Sequence, residues 1–282
     1  MHFPQPPAGR WAGISHRIGV AGVRLLGDPR LPQRLVEVRA GFDRRVRRVE
    51  FVPTYDRYLA NSAFTAGWVT RLWGVPADVV YPPVRPGVGP GEKRPLVLNV
   101  GRFFDPRFGH SKKQLELIHA FEGMGLDGWD LALAGGCDAP NREYALAARR
   151  AALETTSIAV HVNAKGAVVR DLFAAASIYW HAGGLGEDPQ RHPERFEHFG
   201  ITVLEAMASG AVPLVYGAAG PAEIVRHGID GYHWHDLDEL TVLTRRLVED
   251  PAERDRLAAS GRERVADFSA ERFAGEIRSL LI

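Results

Sequence analysis

Two glutamates, Glu197 and Glu205, bracket the turn Phe199-Gly200 in the run 193–210, PERFEHFGITVLEAMASG. Residues 201–209 have the spacing of a helix, with Ile201, Leu204 and Ala208 on one face and Gly210 as the C-terminal stop. The first amides of such a helix have no intrahelical partner and carry the positive end of its dipole. The backbone N–H groups of Gly200, Ile201 and Thr202 therefore suit a phosphate, and a glycine there lets a ligand approach the chain closely. Glu205 projects a turn beyond that anion site, within reach of a nucleotide ribose, and Glu197 lies in the loop before it. One carboxylate can hold the ribose and the other can face the group beyond the phosphates. An ordinary amphipathic helix with solvated glutamates would carry the same two residues.

Positive charge for such a ligand comes earlier in the chain. Residues 96–100, LVLNV, form a largely apolar run, as expected of a parallel strand buried on both faces. That strand delivers Gly101 and Arg102 to the carboxyl edge of a sheet, where open α/β folds bind their ligands. Lys112 and Lys113 precede a helix expected over residues 114–121, so a guanidinium and an ammonium can converge on one diphosphate. Either lysine alone reads as a surface charge.

The motifs around these residues resemble the retaining glycosyltransferases of the GT4 type, glycosyl transferases group 1, which have the two-domain GT-B fold. The resemblance is carried by Glu197-His198-Phe199-Gly200 through Glu205-Ala206-Met207, a Glu, seven residues and a second Glu. It extends to Val100-Gly101-Arg102, Lys112-Lys113-Gln114, Ile118-His119-Ala120-Phe121, Leu133-Ala134-Gly135-Gly136 and Gly220-Pro221-Ala222-Glu223-Ile224-Val225, and covers roughly residues 54–282. It implies transfer of a sugar from a nucleotide-sugar donor to an acceptor with retention of anomeric configuration, the donor being a substrate rather than a cofactor. Arg102 and Lys112 would neutralise the leaving diphosphate, with Lys113 one position off the pattern. Glu205 would hold the ribose, Glu197 would orient the sugar, and the amides of Phe199, Gly200 and Ile201 would complete the anion site. No metal is implied, since two cations and a helix terminus can take its place. By the same resemblance His2 is a cleft histidine of the first domain, Glu223 lies close to the donor, residues 163–166 face the base, and the last helix crosses back to the first domain. The 61–65 stretch and the Glu197-His198-Phe199-Gly200-Ile201 run look most like mannosyltransferases acting on lipid-linked sugars. GDP-mannose is then the first expected donor, with UDP-sugars open and a sugar or lipid-linked sugar as acceptor.

The elements that must position these residues follow from periodicity. A short strand at 58–60, an N-cap at Asn61 or Ser62, a helix with Phe64, Trp68 and Leu72 inward and a stop at Gly74 precede a strand at 77–81. The proline- and glycine-rich stretch 86–91 reads as a linker. It divides a partial, incomplete or truncated N-terminal acceptor-side α/β domain, 1–90, from a doubly wound, parallel, Rossmann-like donor domain, 91–282. In the second part, strands are expected at 131–134, 158–162, 177–180 and 212–216, and a helix over 142–155. Polar residues 185–195 read as a flexible insertion, and Pro221 as the first position of a short helix. Asp236 with Glu239, and Asp250 with Pro251 and Glu253, read as helix starts.

Composition narrows the class further. The chain has 282 residues and a formal net charge of +1, but ten arginines crowd its first fifty residues. Helical spacing recurs there at Ile14, Ile18, Ala21 and Leu25, and again over 42–52. The second of these helices carries a basic face that reads as solvated or as a peripheral contact with anionic lipid. No nucleic-acid recognition motif accompanies the arginines, so no nucleic-acid partner is expected. The single Cys137 suits a reducing cytoplasm. Neither a signal peptide nor an apolar run of membrane-spanning length stands out. A first part of about 90 residues also admits a second class, a sugar-nucleotide-binding subunit that needs a partner chain for the acceptor domain.

Overall fold

The computed structural model describes residues 52–84, 89 and 91–281. His2 and the two helices expected before residue 52 lie outside the described residues. The chain divides into two compact units after Val80. This is ahead of the stretch 86–91 where composition put the boundary. The reason is local: the Val84 amide donates to the Phe268 carbonyl at 2.9 Å, and the Tyr81 ring meets Phe268 edge-on at 5.5 Å, so these residues pack with the second unit.

In the first unit β1 (Leu59–Ala60) and β2 (Asp78–Val79) pair in parallel around α1 (Ala63–Trp73), one βαβ turn. Ser62 caps α1 by accepting from the Thr65 amide at 3.1 Å, and Gly74 ends it in the left-handed region at φ 71°. Trp68 and Val69 form the buried face with Thr65; Phe64 and Leu72 are only half-buried.

The second unit alternates strand and helix: β3 (Arg94–Val100), α2 (Gln114–Met124), β4 (Asp130–Gly135), α3 (Arg142–Ala152), β5 (Ile158–Val162), α4 (Gly166–Ala175), β6 (Ala176–His181), α5 (Ile201–Ala208), β7 (Val212–Tyr216), α6 (Ala219–Ile224) and β8 (Tyr232–Trp234). Three helices close it: α7 (Leu237–Glu249), α8 (Pro251–Val265) and α9 (Ala270–Leu281). All six strands pair in parallel in the order β5-β4-β3-β6-β7-β8, the doubly wound sheet that the alternation implies.

Successive side chains of a strand face opposite sides, and the core divides accordingly. Val97, Leu131, Leu133, Ile178, Trp180 and Leu214 pack on one face with α2, α3, α7 and α8. Leu96, Leu98, Ala132, Tyr179 and Val215 pack on the other with α4, α5 and α6. Because both faces are covered, the central strands β3, β4, β6 and β7 read as nearly continuous apolar sequence. Asp236 and Asp250 cap α7 and α8 as expected, accepting from the Glu239 and Glu253 amides at 2.8 and 2.9 Å.

Three local expectations change. Pro221 is inside α6, which begins two residues earlier at Ala219, itself at φ 56°. Ile201 is exposed, and the buried side of α5 is Val203, Leu204, Ala206 and Met207, because the first turn of α5 stands at the open edge of the sheet. Residues 185–195 are not a loose insertion, since Glu187 within them is held by both Lys113 and Arg195 at 2.9 Å.

Candidate functional site

The carboxyl edge of the sheet gathers the loops after β3, β6 and β7 around the first turn of α5. β3 ends at Val100, and Gly101 continues it by donating its amide to the Ala134 carbonyl at 2.9 Å. A Cβ on Gly101 would come within 2.7 Å of Lys112 Cγ, so glycine is what allows the aliphatic stem of Lys112 to lie across the strand end. Gln114, the first residue of α2 and fully buried, donates Nε2 to the Gly101 and Arg102 carbonyls at 3.3 and 3.2 Å. Its Oε1 in turn accepts from the Tyr144 hydroxyl at 3.2 Å. The loop carrying Arg102 is thereby fixed to the helix that follows the lysines.

The Lys112 ammonium donates to Glu197 Oε2, and the two side chains are only 13% and 22% exposed. His181, the last residue of β6 and 2% exposed, brings Nε2 to 3.7 Å from the same carboxylate oxygen. His110 and His198 stand close by, their ring centroids 6.4 Å apart. Burial alone would raise the pKa of Glu197. The Lys112 ammonium, with the His181 imidazole beside the same oxygen, outweighs it, so the carboxyl is held well below its usual range. On the imidazoles burial acts with the opposite sign. Burial is the main cause that lowers the pKa of His110 to about 3, aided by Lys112, and burial also lowers those of His181 and His198. The centre is thus an anionic carboxylate and a cationic ammonium set among neutral imidazoles.

Two residues on from Glu197 the chain turns into α5. Gly200 sits at φ 107°, where a side chain is strained, and a Cβ there would also reach Pro221 at 3.3 Å and Val203 at 3.4 Å. The buried Phe199 ring stacks on Tyr81 at 6.2 Å and meets Phe268 at 6.1 Å. From the other side Gly220 donates its amide to the Glu197 carbonyl at 3.0 Å, and a Cβ on Gly220 would come within 2.5 Å of the Phe199 backbone. Behind the helix start the fully buried Tyr179 hydroxyl lies 2.7 Å from Thr202 Oγ1 and 3.2 Å from the Val100 carbonyl oxygen. The first turn of α5 is therefore locked to the end of β3, with the leading amides of the helix lacking intrahelical partners.

Glu205 is half-buried one turn on, and no hydrogen bond or ion pair among the described residues reaches its carboxylate. Burial pushes its pKa up. Glu223, on α6, accepts from the Tyr81 hydroxyl at 3.0 Å.

The expected residues thus divide into two groups. Lys112, Glu197 and Gly101 meet directly, and Phe199, Gly200 and Ile201 adjoin them along one backbone turn. Arg102 is not joined to Lys112 by any contact among the described residues; it is exposed, its guanidinium lies 5.8 Å from the Phe104 ring centroid, and it lines a cavity of about 270 Å³ with Gly136, Cys137 and Asn163. Asn163, at φ 56°, uses its side chain on the Cys137 backbone, accepting from the amide at 2.8 Å and donating to the carbonyl at 3.2 Å. The sequence assigned no role to His110, Tyr179 or Glu187, which act through contacts far apart in sequence. Gln114 stood in the motif directly after the lysine pair, but its bonds to the Gly101 and Arg102 carbonyls left no signal there.

The second unit is a parallel doubly wound sheet with a lysine-glutamate pair and a glycine-led helix start at its carboxyl edge, the edge at which open α/β folds bind their ligands. The model of the family described as Glycosyl transferases group 1 matches residues 83–264, more than half of the chain, and the chain belongs to that family. Among curated proteins it is 25% identical over 241 residues to the GDP-Man:Man(3)GlcNAc(2)-PP-Dol alpha-1,2-mannosyltransferase of Dictyostelium discoideum, covering 77% of this chain and 45% of that one. Sucrose synthase 2 of Pisum sativum is 37% identical over 79 residues, which cover 26% of this chain and 10% of that one. This chain therefore spans less than half the length of either relative. Among solved structures, HepE of Anabaena in complex with UDP superposes with a TM-score of 0.70 at 17% identity, over 86% of this chain and 67% of that one. That likeness is one of fold, and it is the glycosyltransferase fold that the motifs implied.

Among the described residues no helix is long and apolar enough to cross a membrane, and no group of three or more His, Cys, Asp or Glu side chains is placed to hold a metal ion.

Proposed function

We propose that this chain binds a nucleotide-sugar donor at the carboxyl edge of its second unit and transfers the sugar to an acceptor with retention of anomeric configuration. The observation that carries the proposal is the largely buried Lys112–Glu197 pair laid across Gly101 beside the glycine-led first turn of α5. In this reading Lys112 and the amides of Gly200, Ile201 and Thr202 receive the diphosphate. Negative charge builds on the diphosphate as the anomeric bond breaks, so these fixed groups bind the transition state more tightly than the ground state. Arg102 serves the nucleotide from the neighbouring cavity, and Glu205, which has no partner among the described residues, accepts hydrogen bonds from the ribose hydroxyls. Glu197, anionic and pinned between Lys112 and His181, orients the sugar. Residues 163–166 and Glu223 are further donor-side contacts by family resemblance, and His2 belongs to the same proposal.

GDP-mannose is the first donor to test. The match to a protein named for GDP-Man runs over 77% of this chain, whereas the sucrose synthase match runs over 26%. A lipid-linked sugar is the acceptor class that accompanies it. Contact of the arginine-rich start with an anionic inner membrane face also belongs to this proposal. A second reading, a sugar-nucleotide-binding subunit completed by a partner chain, is favoured by the single βαβ turn among the described residues of the first unit. Incubation with radiolabelled GDP-mannose or UDP-glucose and lipid-linked or free sugar acceptors tests transfer. Transfer that is abolished in the Glu197→Ala, Glu205→Ala double variant supports the enzyme. Donor binding without transfer supports the subunit, and unchanged transfer by the double variant removes the site assignment.

A further inference from the structure

Lys113 stands at the N-cap of α2 with φ 58° and ψ 37°, in the left-handed region that favours glycine. A residue with a Cβ stays there only where its surroundings over-determine it. Its amide donates to Ser111 Oγ at 3.1 Å, and its ammonium donates to Glu187 Oε1 at 2.9 Å. The other oxygen of Glu187 accepts from Arg195 at 2.9 Å. Lys113 and Glu187 are 10% and 11% exposed and Arg195 is 31% exposed, so a nearly buried carboxylate holds one nearly buried and one partly exposed cation. Its ends lie one residue from Lys112 and two residues from Glu197. The same two segments, before α2 and before α5, are thus tied twice, once by the Lys112–Glu197 pair and once by this bridge.

We propose that Glu187 is a positioning residue: by holding Lys113 in its left-handed conformation and Arg195 beside it, Glu187 sets where the Lys112 ammonium stands relative to the first turn of α5. The inference rests on the diphosphate role given to Lys112 above. Both Glu187 oxygens are taken up by Lys113 and Arg195. The effect of Glu187 passes through the backbone at Lys113, and a small displacement of a charged group can cost as much as removing it.

The test is a double-substitution cycle read by titration calorimetry with GDP, UDP and the matching monophosphates, using the full chain. In the Glu187→Gln variant the diphosphate found to bind the unaltered protein loses about tenfold in affinity. The monophosphate stays within about twofold, because the Lys112 contact is the one displaced. In Lys113→Gly, where the left-handed conformation needs no support, adding Glu187→Gln changes diphosphate affinity by less than about twofold. Equal losses for diphosphate and monophosphate, equal losses in both backgrounds, or a lowered Tm with unchanged diphosphate preference would each overturn the inference while leaving the donor site in place. A parent protein that binds neither GDP nor UDP would overturn the donor-site reading and the inference with it.

Discussion

Replacing Glu197 with glutamine should tighten diphosphate binding even as it abolishes transfer. A phosphate must compete with the Glu197 carboxylate for the Lys112 ammonium, because the two are paired at 13% and 22% exposure. At an effective dielectric of about 20, two unit charges about 4 Å apart attract by roughly 4 kcal/mol. Desolvation and side-chain ordering cancel much of that, leaving about 1–2 kcal/mol for a largely buried pair. Glutamine keeps the size and the hydrogen-bonding capacity and removes the charge, so the gain in affinity should be about 5- to 30-fold. Calorimetric titration of the parent and Glu197→Gln chains with GDP and UDP measures it. Lys112→Ala, by contrast, should weaken the same titration. Weaker diphosphate binding in Glu197→Gln would refute the idea that the two acids compete for one ammonium.

Other outcomes follow from the same geometry. Glu205→Gln should cost about tenfold in affinity for GDP or UDP and much less for their 2′,3′-dideoxy forms, since the carboxylate is expected to hydrogen-bond the ribose hydroxyls; calorimetry reads both. Gly200→Ala should lower stability by about 1–2 kcal/mol in urea titrations, because alanine is strained at φ 107° and its methyl presses on Pro221. Stability should also fall in acid. The His110 pKa is depressed to about 3 from 6.5, chiefly by burial, so between these values the unfolded chain binds the extra proton. That contribution is fully present above about pH 6.5 and is lost as pH falls toward 3. Urea titrations across that window should show a shallower decline for His110→Asn than for the parent.

The central parallel strands of the second unit were legible because burial on both faces leaves nearly unbroken apolar sequence, as in β6 and β7. The turn into α5 was legible because a left-handed residue at Gly200 demands glycine. Helix α4 left no comparable mark. Its start at Gly166 has no capping side chain, and only Leu172 and Phe173 among its residues are buried, so neither caps nor periodicity announce it. Periodicity also misplaced Ile201, since it reports which face of a helix is apolar and not which turn stands at an open edge. In the site, Glu197 and Lys112 were recognisable by motif, but their mutual pairing was not, because 85 residues separate them. The same limit hid Glu187. A polar loop with acids and bases has the composition of a solvated insertion, and only the fold brings Lys113 to it.

The central claim is that Lys112 and the first turn of α5 form one diphosphate site. A crystal structure of the chain soaked with GDP or UDP tests it most directly. The β-phosphate should lie within hydrogen-bonding distance of Lys112 Nζ and of the amides at Gly200 to Thr202, with Glu205 on the ribose. A diphosphate bound away from that turn, with Lys112 still on Glu197 and Glu205 facing solvent, would contradict it.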